Sequence, residues 1–161
     1  MHIIAQAPRF VIRDFKPEEE TMYIALFDDP RVTVHLPNRS RKEHLDIFRK
    51  SFDDYGANNK LGRWGIFNNR DGDFIGFCLL RPYDNDSQVV ELGYVIHQKY
   101  WGKGIASEMA IIMVGYALTH TNAKEIVGVT TLGNTGSQKV LQKAGLVRMD
   151  NFKRDGEELA F

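Results

Sequence analysis

The chain has 161 residues, 43% hydrophobic and 26% charged, which suits a single globular domain spanning 1–161 with a sizeable core. Its 21 basic residues balance 21 acidic ones, so no overall field attracts nucleic acid or an anionic membrane, and no basic–aromatic pattern supplies another route. The five histidines lack metal-ligand spacing and the one cysteine cannot pair internally, so the expectation is a cytoplasmic, metal-free protein without a secretory leader or membrane span.

In chain order, Arg9 to Asp14 alternates as a short strand. Lys16-Pro17-Glu18-Glu19-Glu20 opens a helix, because proline suits the first helical position and acids suit the positive end of the dipole. Asp28-Asp29-Pro30 closes it, and Arg31 to Arg39 reads as a loop. A second helix starts at Ser40, which forms a capping-box pattern with Glu43, and stops near Gly56. Strands at Arg63 to Asn68 and Asp73 to Arg81 flank the hairpin turn Asn69-Arg70-Asp71-Gly72. Cys78 lies in the apolar FIGFCLL and reads as a buried small hydrophobe. After a turn at Pro82 to Ser87 comes the strand Gln88 to His97.

The next stretch organises the rest. VVELGYVIHQKYWGKGIASE runs from an apolar strand through a glycine turn into a helix, about Gly104 to His120. Ile105, Met109, Ile112, Met113 and Tyr116 share one face of that helix. Its first turn carries unpaired N–H groups and positive dipole, and glycines allow an anion to approach them. A pyrophosphate site is therefore expected at Gly102 to Ser107. The spacing is too short for a Walker loop, and Ser107 stands where a dinucleotide fingerprint needs its third glycine. Glu125 to Thr131 reads as another strand, Asn134 caps a helix ending at Gly145, and short strands near Leu146 to Phe152 and Glu157 to Phe161 finish the chain. The fold class is α/β (α+β), with a mixed, mostly antiparallel sheet of about seven strands and about four helices.

Glu91-Leu92-Gly93-Tyr94 followed by Tyr100-Trp101-Gly102-Lys103-Gly104-Ile105-Ala106-Ser107-Glu108 resembles the acyl-CoA motif of the GNAT N-acetyltransferases. The Trp-Gly-x-Gly-x-Ala form is most similar to the RimJ/RimL-like branch. The opening Arg9 to Arg13 with Pro17-Glu18 is similar to the family's first strand and helix start. Asn134-x-x-Ser137 with Leu141-Gln142-Lys143-Ala144-Gly145-Leu146 looks like its third motif.

The resemblance implies transfer of an acetyl group from acetyl-CoA to an amine, either a protein N-terminus or a small molecule, by a monomer or homodimer. A catalytically weak acyl-CoA sensor or subunit is the alternative. It implies that the backbone of Tyr94, Val95 and Ile96 pairs with the pantetheine arm, and that amides of Gly102 to Ser107 hold the pyrophosphate. Trp101 replaces the family's usual Gln or Arg. Lys103 adds charge near the phosphates or is a solvated loop lysine.

Glu91 is the candidate general base, directly or through water, with apolar neighbours that favour its neutral form; a solvent-facing charge on an alternating strand is the competing reading. Gly93 marks a bulge or a tight packing point. Asn134 caps its helix and, by resemblance, touches CoA. Ser137 is a candidate acid for the leaving thiolate or simply a helix-end group. Leu141 occupies the family's tyrosine position and cannot donate a proton. Tyr83, Trp64 and His35 line an acceptor pocket or pack. Asp28 and Asp29 attract a cationic acceptor or serve the turn.

Overall fold

A computed structural model describes residues 2–56, 60–84, 86–131, 134–149, 152–154 and 157–160. Strand β1 (Ile3–Gln6) pairs antiparallel with β2 (Phe10–Arg13), and β2 pairs antiparallel with β3 (Gly62–Asn68) from Phe10↔Asn68 to Arg13↔Gly65. A turn with Gly72 at φ +74° joins β3 to β4 (Phe74–Tyr83), closed by Asn68 N–H donating to the Asp73 carbonyl at 2.8 Å. The turn requires its glycine, since an L side chain rarely adopts that φ. Strand β5 (Asp86–Ile96) follows, then helix α4 (Ile105–His120) and the parallel partner of β5, β6 (Glu125–Val127). Hydrogen-bonded neighbours give the order β1-β2-β3-β4-β5-β6. This is the expected mixed α/β architecture.

The chain divides into two compact units, Met1–Leu79 with Tyr94–Tyr100, and Leu80–Gly93 with Trp101–Phe161. In the first unit, Pro17–Glu19 forms one 3-10 turn leading into α1 (Glu20–Ala25), with Glu19 accepting from the Lys16 amide at 2.9 Å. Part of the expected loop is helical: α2 (Pro30–Thr33) starts on Asp29, whose carboxylate accepts from the Arg31 amide at 2.9 Å. Four residues are too short to show a period. Helix α3 (Arg41–Gly56) has the expected reciprocal cap, Glu43 N–H to Ser40 Oγ at 3.2 Å and Ser40 N–H to Glu43 Oε1 at 3.3 Å. Its core is aromatic: Phe15, Tyr23, Phe48, Phe67, Phe74 and Phe77 are buried together with Val95. Edge-on ring pairs such as Phe15–Phe48, centroids 5.2 Å apart, add to the burial.

In the second unit, α4 buries Ile105, Met109, Ala110, Met113 and Ala117, while Ile112 and Tyr116 are only half-buried. The inward face is thus rotated slightly from the expected one. The predicted strand Glu125 to Thr131 is broken: β6 ends at Val127, and β7 (Thr130–Thr131) joins β9 (Glu157–Ala160) and β8 (Phe152–Arg154) in a three-stranded sheet of order β7-β9-β8. Gly128 lies at the break, where a Cβ would stand 2.5 Å from Leu141 Cδ1. Helix α5 (Thr135–Lys143) ends as expected at Gly145, φ +99°, with Gly145 N–H bonded to the Gln142 carbonyl and Leu146 N–H to the Leu141 carbonyl. The strand expected from Leu146 begins only at Phe152. Residue 161, assigned to the last strand, lies outside the described residues.

Candidate functional site

Glu91 sits on β5 between Val90 and Leu92, and all three are buried. The solvent-facing reading of Glu91 therefore fails, because this part of the strand is covered on both faces and alternation no longer sorts inside from outside. Nor is the carboxylate surrounded only by apolar groups. Its Oε2 accepts from Arg81 Nη2 of β4 at 2.9 Å, and that guanidinium is half exposed. Arg81 went unnoticed in the sequence. A cation ending the apolar FIGFCLL run, with a lone acid set among apolar residues in the following VVELGYVI, was the available signal.

The glycine turn has a specific backbone form. Gly102 has φ +73° and Gly104 has φ +78°. A Cβ on Gly102 would meet nothing within 4 Å, so the backbone angle, not crowding, selects glycine there. Gly104 is the N-cap residue of the 16-residue α4 and provides no side-chain cap. Trp101, Gly102, Lys103 and Gly104 are exposed, Ala106 and Ser107 are half-buried, and Ile105 anchors the turn at 5% exposure. Such a start presents main-chain donors and dipole to an incoming anion. Glu108, in the first turn, is half-buried.

Asn134 behaves as a cap: its Oδ1 accepts from the Ser137 amide at 3.1 Å. Ser137 is half-buried one turn into α5. Leu141 is 8% exposed and packs over Gly128, so this position contributes packing. A cavity of about 390 Å³ lies in the same unit, lined by Val114 and Leu118 of α4, Ile126 and Val127 of β6, and Leu141 and Leu146. None of the sequence-nominated binding or catalytic residues lines it.

In the other unit, Val95 and Ile96 are buried at 9% and 6% exposure, and Tyr94 is half-buried. The end of β5 crosses β4 closely at Gly76, where a Cβ would stand 2.1 Å from the Val95 carbonyl oxygen and 2.9 Å from Ile96 Cα. Only glycine allows that approach. His97 N–H then donates to the Ile75 carbonyl at 2.7 Å. Gly93 lies within β5 and is half-buried.

Among the remaining nominations, Trp64 is a core side chain at 2% exposure, while Tyr83 and His35 are half-buried. Asp29 is engaged by Arg31 through both carboxylate oxygens, at 3.0 and 2.9 Å, which holds its carboxyl below the usual range. That leaves it a helix cap, with its charge already matched. Cys78 is fully buried, and burial pushes its thiol up. Among the described residues, no group of three or more His, Cys, Asp or Glu could hold a metal ion, and no helix is long and apolar enough to cross a membrane.

Residues 9–147 match the family model of the acetyltransferase (GNAT) domain. The uncharacterized N-acetyltransferase p20 of Bacillus licheniformis is 27% identical over 148 residues, covering 87% of this chain and 83% of its own. A GNAT-family acetyltransferase structure from Bacillus anthracis superposes with TM-score 0.82 at 22% identity, covering 99% of this chain and 95% of that one. The ribosomal α-N-protein acetyltransferase RimL, solved in complex with coenzyme A, has the same fold at TM-score 0.82 and 13% identity, with 99% and 95% covered.

Proposed function

The chain belongs to the GNAT family and is an acetyl-CoA-dependent N-acetyltransferase; on that premise we propose direct transfer to an amine in a ternary complex, within one cytoplasmic acyltransferase domain. The acceptor is a small-molecule amine or a protein N-terminal α-amine. A thioester is already activated, so the protein's work is placement, deprotonation and charge stabilisation. The amides of Gly102 to Ser107 receive the pyrophosphate, Lys103 adds positive charge, and Trp101 borders the site. The backbone of Tyr94 to Ile96 pairs with pantetheine as an added strand would.

An alkyl amine with pKa about 10.4 is mostly ammonium at neutral pH and cannot attack. Glu91 takes that proton, directly or through water, and Arg81 orients the carboxylate through its 2.9 Å contact. The neutral nitrogen then adds to the thioester carbonyl. Collapse of the oxyanion breaks the C–S bond, releases thiolate and forms the amide as the attacking nitrogen gives up its surplus proton to the Ser137 hydroxyl or water that protonates the thiolate. Ser137 or water supplies the thiolate proton, with Asn134 fixing the helix turn that carries Ser137 and reaching toward the CoA.

The observation that carries this reading is the pair of positive-φ glycines, Gly102 and Gly104, ahead of a helix without a side-chain cap. A melt in parallel with acetyl-CoA, CoA, ATP and NAD tests it. Ligand at about 100 times Kd stabilises by roughly 2.7 kcal/mol, about 5 to 10 °C for a protein of this size. A shift with acetyl-CoA and CoA alone is expected; a shift with ATP or NAD instead overturns the assignment of the turn. The packed Leu141 favours one second reading, an acyl-CoA sensor with little transfer. Acetyl-CoA binding without thiol release across protein N-termini and small amines would select it.

A further inference from the structure

A second polar constellation lies in the first unit, away from Glu91 and the glycine turn along the chain. Arg63 of β3 donates from Nη1 to the Tyr23 hydroxyl at 3.2 Å, and its guanidinium carbon lies 4.6 Å from the centroid of the Phe77 ring. Tyr23 and Phe77 pack with Phe27, at centroid distances of 5.3 Å for Tyr23–Phe27 and 6.0 Å for Phe27–Phe77. Against Phe27 stacks His44 of α3, centroids 3.8 Å apart and planes within 15°. His44 is 8% exposed, and its Nδ1 is buried with no hydrogen-bond partner among the described residues. Arg39 contributes a second positive charge, felt by both Tyr23 and His44. It makes no ion pair among the described residues.

These groups share one chemistry. The Arg63 guanidinium and a phenol border an aromatic patch, the charge of Arg39 reaches the same groups, and a buried imidazole nitrogen beside them needs a partner. An unsatisfied buried nitrogen is costly, so structures seldom keep one without use. Burial, then Arg39 and Arg63, hold the His44 imidazole below its ordinary range, against a weaker opposing pull from Glu43. Glu43 is itself engaged in the α3 cap. A neutral imidazole with its proton on Nδ1 is a donor, as are both guanidiniums. An oxyanion satisfies all three, whereas a cation is repelled by two of them.

The location links this cluster to the transfer chemistry. Phe77 neighbours Gly76 on β4, where the Val95 carbonyl crosses, and Val95 shares a buried core with Tyr23 and Phe77. We propose that Arg63, Arg39 and His44 form a carboxylate-binding subsite, which makes the acceptor a small amine that also carries a carboxylate. This inference rests on the acetyl-transfer reading and narrows its acceptor.

Three α-amino acids, L-alanine, L-leucine and L-phenylalanine, test it, each against its methyl ester and its decarboxylated amine, with CoA thiol release as readout. The three forms differ in amine basicity, so the decisive quantity is how each variant changes the acid-to-ester and acid-to-amine ratios; intrinsic reactivity cancels there. Arg63→Gln should raise KM for the best acid about ten- to hundredfold, the range for losing a charge-assisted hydrogen bond, and leave the ester's KM unchanged. Arg63→Lys should recover part of the loss, because it restores the charge but not the fork. Arg39→Gln, outside the ring packing, guards against a folding artefact and should act in the same direction. The best acid, without acetyl-CoA, should also move the His44 ring signals.

Equal variant effects on acids and esters would overturn the subsite, as would preference for peptide N-termini. Failure of every acid to move the His44 signals would do the same. A failure of acetyl transfer itself reads differently, as no stabilisation by acetyl-CoA.

Discussion

Two helices of the second unit begin in opposite ways. At α5, the Asn134 side chain turns back and satisfies the Ser137 amide at 3.1 Å. At α4, the cap position is Gly104, which has no side chain to offer. Both helices face the same need, since first-turn amides lack carbonyl partners. One start is closed by its own side chain, and the other has no side-chain cap. A glycine in place of a capping side chain gives up only roughly a few tenths of a kcal/mol, so a helix start left open in this way costs little stability.

Breaking or sharpening that contrast takes four variants. The largest effect should be on turnover: Glu91→Gln removes the base and leaves both helix starts as they are. Thiol release should fall by about 10²- to 10⁴-fold while the melt shift with acetyl-CoA stays; turnover close to the original with only an altered KM would remove the base assignment. Next comes Gly104→Val, which asks a β-branched residue to hold φ +78° and puts a side chain among the donors. Acetyl-CoA affinity should drop at least about hundredfold, erasing the roughly 2.7 kcal/mol stabilisation, and calorimetric titration at unchanged affinity would contradict the pyrophosphate site.

A smaller, purely structural loss is expected from Asn134→Ala. It should cost about 1 kcal/mol of folding free energy in urea unfolding. If the acetyl-CoA shift also shrinks, α5 serves the ligand as well and the contrast weakens. The smallest effect is a gain. Gly136 is helical, and an added Cβ would meet only Asn134 Oδ1, at 4.0 Å. Gly136→Ala should stabilise by about 0.5 kcal/mol without touching affinity; a loss of stability would mean the first turn of α5 is not a regular helix.

The features read correctly from sequence are those whose causes are local. Pro17, Ser40 with Glu43, Gly72, Asn134 and Gly145 each act within a few residues, and each marks the boundary it was expected to mark. The misses have distant causes. Strand β1 is four residues long and partly exposed, so it has no apolar pattern of its own and exists through pairing with β2. The break after Val127 lies at Gly128, which packs against Leu141 of a later helix. Of the catalytic candidates, the residue type and strand of Glu91 were legible, but its ion pair with Arg81 was not, because strand register decides which side chains face each other. His44 carried no signal beyond being a polar residue in an amphipathic helix.

The Leu141–Gly128 contact also constrains how the chain can change over generations. A side chain at 128 would have to displace the Leu141 side chain, so changes at the two positions are coupled. A descendant acquiring a phenol at 141 would have to accommodate a larger group against the same backbone. Any new proton donor is therefore more accessible to selection at an already half-exposed position such as Ser137 than at 141.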